Sequence, residues 1–224
     1  MQPQQDLPPP KSPQHRVDPT ASSKSLAIAL VVAFAFLLAA IGIVLWLVFS
    51  HKPTNTAINR PTDDVASVKN VSFVVPTDLP TGYVKNDQST VDATTIFYYD
   101  EAANCGFTLG VSPVPADKGV KDAVVDALNA LGAQGVATTS KTDGAKADIK
   151  DSTSGKTYTF DSIDAEQTVD VPGVAFTKQN NTILYKQFGQ RIASLSYACK
   201  TESWVSKKAE LAAWAQKFTV KTER

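Results

Sequence analysis

The sequence predicts an α+β protein, with an antiparallel sheet covered by two amphipathic helices and preceded by one transmembrane helix. Three observations predict this class. Residues 26–49 form one long apolar run, several later segments alternate apolar and polar residues, and two segments repeat apolar residues at helical spacing. Because hairpin-like turns join the later strands, we expect an antiparallel sheet with helices packed on it.

The chain divides into four parts. Residues 1–25 are rich in Pro, Gln and Ser, and such a segment buries too little apolar surface to fold, so we expect a disordered tail. Residues 26–49 are the predicted transmembrane helix, and residues 50–70 read as a polar linker. Residues 71–224 are predicted to form the folded extracytoplasmic domain.

The apolar run at 26–49 carries no charged side chain. A helix of about 20 such residues crosses the hydrocarbon core, and its backbone groups pair within the segment. A cleaved signal peptide is the alternative, but its apolar core is typically about 7–15 residues. The pattern therefore favours an uncleaved anchor in the cell membrane.

The orientation does not follow from charge, since similar numbers of Lys and Arg flank both ends of the run. Large C-terminal domains cross the membrane largely regardless of charge, and a cysteine pair favours an oxidising compartment. We expect the N-terminus in the cytoplasm and the C-terminal domain outside.

The strands are predicted by alternation of apolar and polar residues. They are residues 71–75, 94–100, 105–111, 157–169, 182–188 and 191–199, with 174–177 as a short partner. Residues 138–155 are rich in Lys, Asp, Thr and Gly and are expected to form an exposed loop, with a weak strand inside it as the alternative. Residues 179–181 and 189–190 are predicted hairpin turns.

Two helices are predicted, at residues 117–131 and 202–217, each with one apolar face. Asp117 and Thr201 are the expected N-caps, and Gly132 is the expected stop after the first helix. On the second helix, Trp204 and Trp214 are interpreted as core anchors rather than ligand contacts.

Cys105 and Cys199 are the two cysteines of the chain, and neither has metal-ligand spacing. In a domain outside the cytoplasm, they are expected to form one long-range disulfide. The alternative is a pair of buried free thiols that pack as small hydrophobic residues.

The predicted domain contains no histidine, which excludes serine–histidine and cysteine–histidine nucleophiles there. Asp161, Asp164 and Glu166 are the carboxylates considered for a hard cation, although a solvated face of the sheet explains them better. Tyr98 and Tyr99 are adjacent on a strand, so one is expected to face outward and offer a binding surface.

The pattern resembles the PsbP-like fold family, which includes lipoproteins of the LpqN type. The resemblance lies in Phe73-Val74-Val75-Pro76, the turn at 80–83, the mid-chain helix, and the Ala- and Trp-containing end at Phe218-Thr219. It implies extracytoplasmic accessory or binding modules and no catalytic residues.

We therefore expect a non-enzymatic, membrane-anchored accessory or binding module without a cofactor, whose partner is an envelope protein or a cell-surface ligand. A formal net charge of zero argues against nucleic acid as a partner. One alternative is a carboxylate-based hydrolase or ligand-handling enzyme. Another is an assembly subunit that oligomerises through Ala35 and Ala39 of the apolar run.

Overall fold

A computed structural model of the chain describes residues 63–78, 80–85 and 95–224. The predicted tail, the predicted transmembrane helix at 26–49 and most of the predicted linker lie outside the described residues. Within the described ranges, no helix is long and apolar enough to cross a membrane.

Ten strands and three α-helices make up the described part of the chain. The strands are β1 (Asn70–Val74), β2 (Val84–Lys85), β3 (Thr95–Asp100), β4 (Cys105–Pro113), β5 (Val136–Asp143), β6 (Ala147–Asp151), β7 (Thr157–Val169), β8 (Lys178–Phe188), β9 (Arg191–Lys200) and β10 (Thr219–Glu223). The helices are α1 (Asp63–Ala66), α2 (Val120–Ala130), which continues into a 3-10 turn at Leu131–Gln134, and α3 (Thr201–Ala215).

The strands form one sheet in the order β1-β10-β6-β7-β8-β9-β4-β3-β2, with β5 also paired to β7. The 13-residue β7 makes this possible, because β6 pairs with its first part and β5 with its second part. Most pairs are antiparallel, but β10 and β6 run parallel. The predicted purely antiparallel sheet is therefore wrong, and the sheet is mixed.

The sheet curls on itself. Val71 on β1 and Phe107 on β4 belong to the same core, although five strands separate β1 from β4 in the sheet order. Strong curvature of this kind follows from the twist of a sheet with many strands.

The predicted arrangement of a sheet covered by two amphipathic helices is also wrong as a fold class. The longer helices have 11 and 15 residues, too few to cover ten strands. Val71, Ile149 and Val220 come from the sheet itself and fill the core beside α3. No spanning helix is found in the described part of the chain.

Two cores lie on opposite faces of the central strands. The first core packs α3 against aromatic residues of the sheet, among them Phe107, Tyr197, Trp204, Trp214 and Phe218. The second core packs α2 and the 3-10 turn against the other face, with Phe97, Tyr99, Leu128, Ile163 and Tyr185 among its members.

Most predicted strands are found within a few residues, and β7 has the predicted bounds. Residues 138–155, predicted as a loop, instead carry most of β5 and all of β6, because their polar side chains lie on exposed strands. Residues 174–177 form no strand, and residues 179–181 lie inside β8 rather than in a turn. The predicted turn at 189–190 connects β8 and β9.

The helix caps differ from the prediction. Gly119, not Asp117, precedes α2, and Gly135 rather than Gly132 adopts the left-handed conformation after the 3-10 turn. Lys200 precedes α3, while the Thr201 hydroxyl donates to Asn180 Oδ1 at 2.9 Å.

Candidate functional site: a buried polar row

The carboxylates considered from the sequence do not form a site. Asp161 pairs with Lys146 and Asp164 pairs with Lys208, each at 2.8 Å. Among the described residues, no group of three His, Cys, Asp or Glu side chains is placed to hold a metal ion. Lysine partners therefore neutralise these two carboxylates.

The predicted outward-facing tyrosine is wrong. Tyr98 lies in the first core and Tyr99 in the second, and both side chains are buried. The Tyr99 hydroxyl donates to Asn104 Oδ1 at 2.8 Å. One core packs on each face of the sheet at β3, so adjacent residues of this strand are buried on opposite faces. Trp204 and Trp214 are buried in the first core, as predicted.

Cys105 and Cys199 are joined by a disulfide across β4 and β9, where they are direct partners in register. Both cysteines are fully buried. The turn between β3 and β4 closes over them, since the Lys200 N–H donates to Asn104 O at 3.1 Å. This bond links two central strands within the first core.

A row of uncharged polar side chains crosses the second-core face of the sheet, and we call it the buried polar row. Each of its members is less than a tenth exposed. Strand alternation puts them on one face, together with Ile163 and Ile183 of the second core. From β7 through β8 and β9 to β4, the row consists of Gln167, Gln179, Asn181, Ser196 and Thr108.

One half of the row is a directed chain of hydrogen bonds. Gln179 Nε2 donates to Gln167 Oε1 at 2.9 Å, across a register pair of β7 and β8. Gln167 Nε2 donates to Thr138 Oγ1, and the Thr138 hydroxyl donates to Leu128 O, both at 3.4 Å. A carbonyl oxygen can only accept a hydrogen bond. The Leu128 carbonyl therefore sets the direction of every hydrogen bond in this series.

That direction fixes the orientation of Gln179. Because the Thr138 hydroxyl donates to Leu128, it accepts from the Gln167 amide nitrogen, and Gln167 turns its oxygen toward Gln179. Gln179 must then donate with its nitrogen, so its oxygen, Oε1, points away from the chain. Gln179 Oε1 has no hydrogen-bond partner.

The other half of the row lies on β8, β9 and β4. The Ser196 hydroxyl donates to Asn181 Oδ1 at 2.9 Å, and Asn181 Nδ2 has no partner. Thr108 faces Ser196 in the register of β4 and β9, and Thr108 Oγ1 is also unpaired. A buried polar atom without a partner costs about 1–3 kcal/mol, so three such atoms in one row need an explanation.

The side chains of the row form hydrogen bonds but carry no charge. Amides and hydroxyls donate and accept hydrogen bonds without gaining or losing a proton near neutral pH. General acid–base catalysis needs a group that titrates near the working pH, and the five side chains of the row supply none.

The sequence does not predict this row, because residues 179–181 read as a hairpin turn. The period-2 alternation of the strand nevertheless indicates the row. It puts Gln179 and Asn181 on the same face of the strand as Ile183 and Tyr185, which are hydrophobic. Polar residues at core positions of a strand are informative, since buried polar groups are costly unless they have a partner.

The fold and this site together define a curled, mixed-sheet domain with an uncharged, buried candidate site. No family model and no curated protein matches the sequence.

Solved structures with a similar fold have low identity to this chain. The PsbP protein of the cyanobacterium Synechocystis sp. PCC 6803 is 11% identical, with a TM-score of 0.42, covering 74% of this chain and 99% of its own. The Ran-binding protein Mog1p of Saccharomyces cerevisiae is 11% identical, with a TM-score of 0.38, covering 66% of this chain and 94% of its own.

A protein of Bacteroides thetaiotaomicron VPI-5482 is 13% identical, with a TM-score of 0.34, covering 65% of this chain and 43% of its own. The structural neighbours thus include PsbP and Mog1 proteins, and the finer resemblance to LpqN-type lipoproteins stays a prediction. Similarity at this level says nothing about ligand or activity.

Proposed function

We propose that this domain is a non-enzymatic binding module that holds polar groups of its ligand along the buried polar row. One observation carries the proposal: Gln179 Oε1, Asn181 Nδ2 and Thr108 Oγ1 are buried on one face of the sheet without partners. A ligand that completes these hydrogen bonds would remove their desolvation cost, and that gain would become binding energy.

The character of the row supports binding rather than catalysis. Its five side chains are three amides and two hydroxyls, and residues 71–224 contain no histidine that would activate a hydroxyl. A serine without an adjacent base is a weak nucleophile. Ser196 is instead engaged with Asn181.

We further propose that the domain works outside the cytoplasm and that its ligand is a component of the envelope or the cell surface. The buried disulfide supports this compartment, since such bonds persist in oxidising surroundings. The test traps free thiols in denaturant at the moment of cell lysis, with and without earlier reduction. Labelling only after reduction supports the proposal, and full labelling without reduction contradicts it.

The binding function itself is tested by the thermal stability of the full chain in a panel of small molecules. The panel contains neutral amides, carboxylates, amines and sugars. The test variant is a double variant, Gln179→Met together with Asn181→Leu, which removes the unpaired amide atoms from the row. The control is Asn180→Leu, which changes the opposite face of β8. Both keep side-chain volumes close to the original.

We expect at least one class to raise the Tm of the wild type and of Asn180→Leu but not that of the double variant. Such a result places binding at the row, whichever class produces it. Equal responses of all three proteins to every class would contradict the proposed function, since no ligand would then depend on the row.

A further inference from the structure

The disulfide lies in the last rung of the ladder between β4 and β9. The register of these strands ends at the pair Cys105 and Cys199, and the β3–β4 turn, residues 101–104, directly precedes Cys105. Both cysteines are fully buried, so a reductant in solvent does not reach them while the turn is closed. We propose that the β3–β4 turn is a redox gate, through which a dithiol reductant reaches the disulfide by local opening while the rest of the domain stays folded.

Two hydrogen bonds of Asn104 tie the turn to the rest of the domain. The Lys200 N–H, at the end of β9, donates to Asn104 O at 3.1 Å. The buried Tyr99 hydroxyl donates to Asn104 Oδ1 at 2.8 Å. Because Tyr99 belongs to the second core, this bond fastens the turn to the opposite face of the sheet from the disulfide.

The remaining hydrogen bonds of the turn are internal to it. Asp100 Oδ1 accepts from the N–H groups of Ala102 and Ala103 at 3.0 and 3.2 Å, and the Asn104 N–H donates to Glu101 O at 3.3 Å. These bonds need not break when the turn moves as a unit. Opening therefore costs the two bonds of Asn104 and the partial packing of Ala103 on the first core.

The position of the disulfide makes such a local opening sufficient. Beyond Cys105, eight further residues of β4 pair with β9, from Gly106 to Pro113. The end of a ladder opens at lower free energy than its middle, because fewer buried contacts break there. Opening at the turn leaves these eight pairs in place, and none of the members of the buried polar row has to move.

The exchange proceeds in two steps when the turn is open. A thiolate of the dithiol attacks Cys105 Sγ, so that a mixed disulfide forms, the Cys105–Cys199 bond breaks, and Cys199 leaves as a thiolate that takes a proton from solvent. The second thiolate of the reductant then attacks the reductant's own sulfur in the mixed disulfide. Cys105 is released as a thiol, and the reductant, now an internal disulfide, has given up two electrons.

Cys105 is the sulfur that is attacked first. It directly follows the turn, whereas Cys199 stays between strands and is paired with Asn180 of β8. Asn180 in turn accepts from the Thr201 hydroxyl at the start of α3, which keeps this side of the disulfide covered. Loss of the bond is thus conditional on opening of one turn and not on unfolding of the domain.

The route is tested by the rate at which dithiothreitol reduces the folded full chain in urea below its unfolding transition. Free thiols are alkylated at intervals and counted by mass. The logarithm of a rate that requires opening rises with urea in proportion to the surface that the opening exposes. We expect a slope less than half that of global unfolding of the oxidised chain. A slope of half that value or more would overturn the proposal.

Tyr99→Phe tests which contact holds the turn closed. Without the hydroxyl, reduction in the absence of urea should be at least fivefold faster, and its urea slope should stay small. Tyr185→Phe is the matched control, because Tyr185 is also buried in the second core but faces Ser194 of β9, five residues from Cys199. A rate for Tyr99→Phe no higher than that of the control would contradict the role of the hydroxyl.

A double-mutant cycle separates loss of the hydrogen bond from a general loss of stability. Asn104→Gly removes the side chain that Tyr99 contacts and fits the φ of 49° found at this position. It should also accelerate reduction, and the double variant with Tyr99→Phe should be no faster than the faster single variant, because both remove the same bond. Multiplying effects would contradict a shared bond.

The first site of attack is read from the mixed disulfide that glutathione forms with the folded chain. Acid quenching, alkylation and peptide mapping locate the adduct. We expect it on Cys105, with Cys199 alkylated as the free thiol. An adduct found on Cys199 would overturn the assigned order of steps, since the turn would then not be the entrance.

Discussion

Asp151 shows how a single buried charge is stabilised in this domain. Its side chain is fully buried, and its carboxylate accepts from the Thr222 hydroxyl at 2.5 Å and from the Thr153 N–H at 2.7 Å. Burial raises the pKa of this carboxyl, but hydrogen bonds from Thr222, Thr153 and Ser154 outweigh it, so the pKa lies below the ordinary value of an aspartate. One side chain thereby joins the β6–β7 turn to β10.

Asp151→Asn tests this arrangement through pH. Because the folded-state pKa is lowered, the charged carboxylate adds stability above its unfolded pKa, and this stability is lost as pH falls through the folded value. At neutral pH, the variant should be less stable by about 1–3 kcal/mol. Urea unfolding between about pH 7 and pH 2 should show the difference shrinking in acid. A constant difference would contradict the assignment.

At the scale of elements, contacts between distant segments decide the stability of turns. Gly189 begins the β8–β9 turn with φ of 53°, and its N–H donates to Val65 O of α1 at 2.8 Å. A Cβ on Gly189 would come within 2.1 Å of Val68 O, so the backbone of residues 65–68 closes directly over the turn. Only glycine fits there without displacement.

Gly189→Ala should therefore lower the free energy of unfolding by about 2–3 kcal/mol, from left-handed strain and the backbone clash together. Gly132→Ala is the matched control, because a Cβ there meets nothing within 4 Å. Chemical denaturation of both variants measures the difference. Equal stability of the two would show that α1 does not hold the turn closed.

Helix α3 is fixed to the sheet through Trp214. Its ring centroid lies 4.4 Å from that of Phe107 and 4.6 Å from that of Phe218, and its indole N–H donates to Asp78 O at 3.3 Å. Aromatic rings in such contacts contribute to packing beyond the area they bury. The first core thus depends on one helical side chain that meets β4 and the chain segment before β10.

Trp214→Ala should cost about 3–5 kcal/mol, through lost burial and the cavity it leaves. Val205→Ala on the same helix is the control, since Val205 is 90% exposed. Its effect should stay within about 0.5 kcal/mol. If thermal unfolding showed similar Tm values for both variants, α3 would not be anchored by its tryptophan.

Elements also show which local signals can be trusted. Alternation of apolar and polar residues located β7, and apolar spacing located α2 and α3, because both patterns depend on neighbours in the sequence. The strands β5 and β6 escaped prediction because most of their side chains are polar and exposed, and only pairing with β7 makes them strands. The amides Gln179 and Asn181 escaped because polar residues read as a turn, and only the pairing of β8 with β7 and β9 puts them on a buried strand.

At the scale of the whole molecule, the disulfide closes a long loop. Cys105 and Cys199 are 94 residues apart in sequence, and the bond joins two central strands. On the chain-entropy model, a loop of this length contributes about 4–5 kcal/mol by restricting the unfolded chain. That is a large share of the roughly 5–15 kcal/mol by which domains are stable.

Reduction should lower the urea midpoint of the full chain markedly, in line with that contribution. The chain contains two cysteines, so a reductant acts on this bond alone. A Cys105→Ala, Cys199→Ala variant should have the low midpoint with or without reductant. A midpoint for the wild type that does not respond to complete reduction would contradict the expected contribution.

The sequence by itself determined the local elements of this protein and its cysteine pair, because alternation, helical spacing and residue type are properties of short segments. Tertiary structure alone decided the curl of the sheet, the parallel pairing of β6 with β10 and the burial of Gln179 and Asn181. The physical reason is that burial and strand partnership come from residues far apart in the chain, and no short segment records which distant neighbour will cover it.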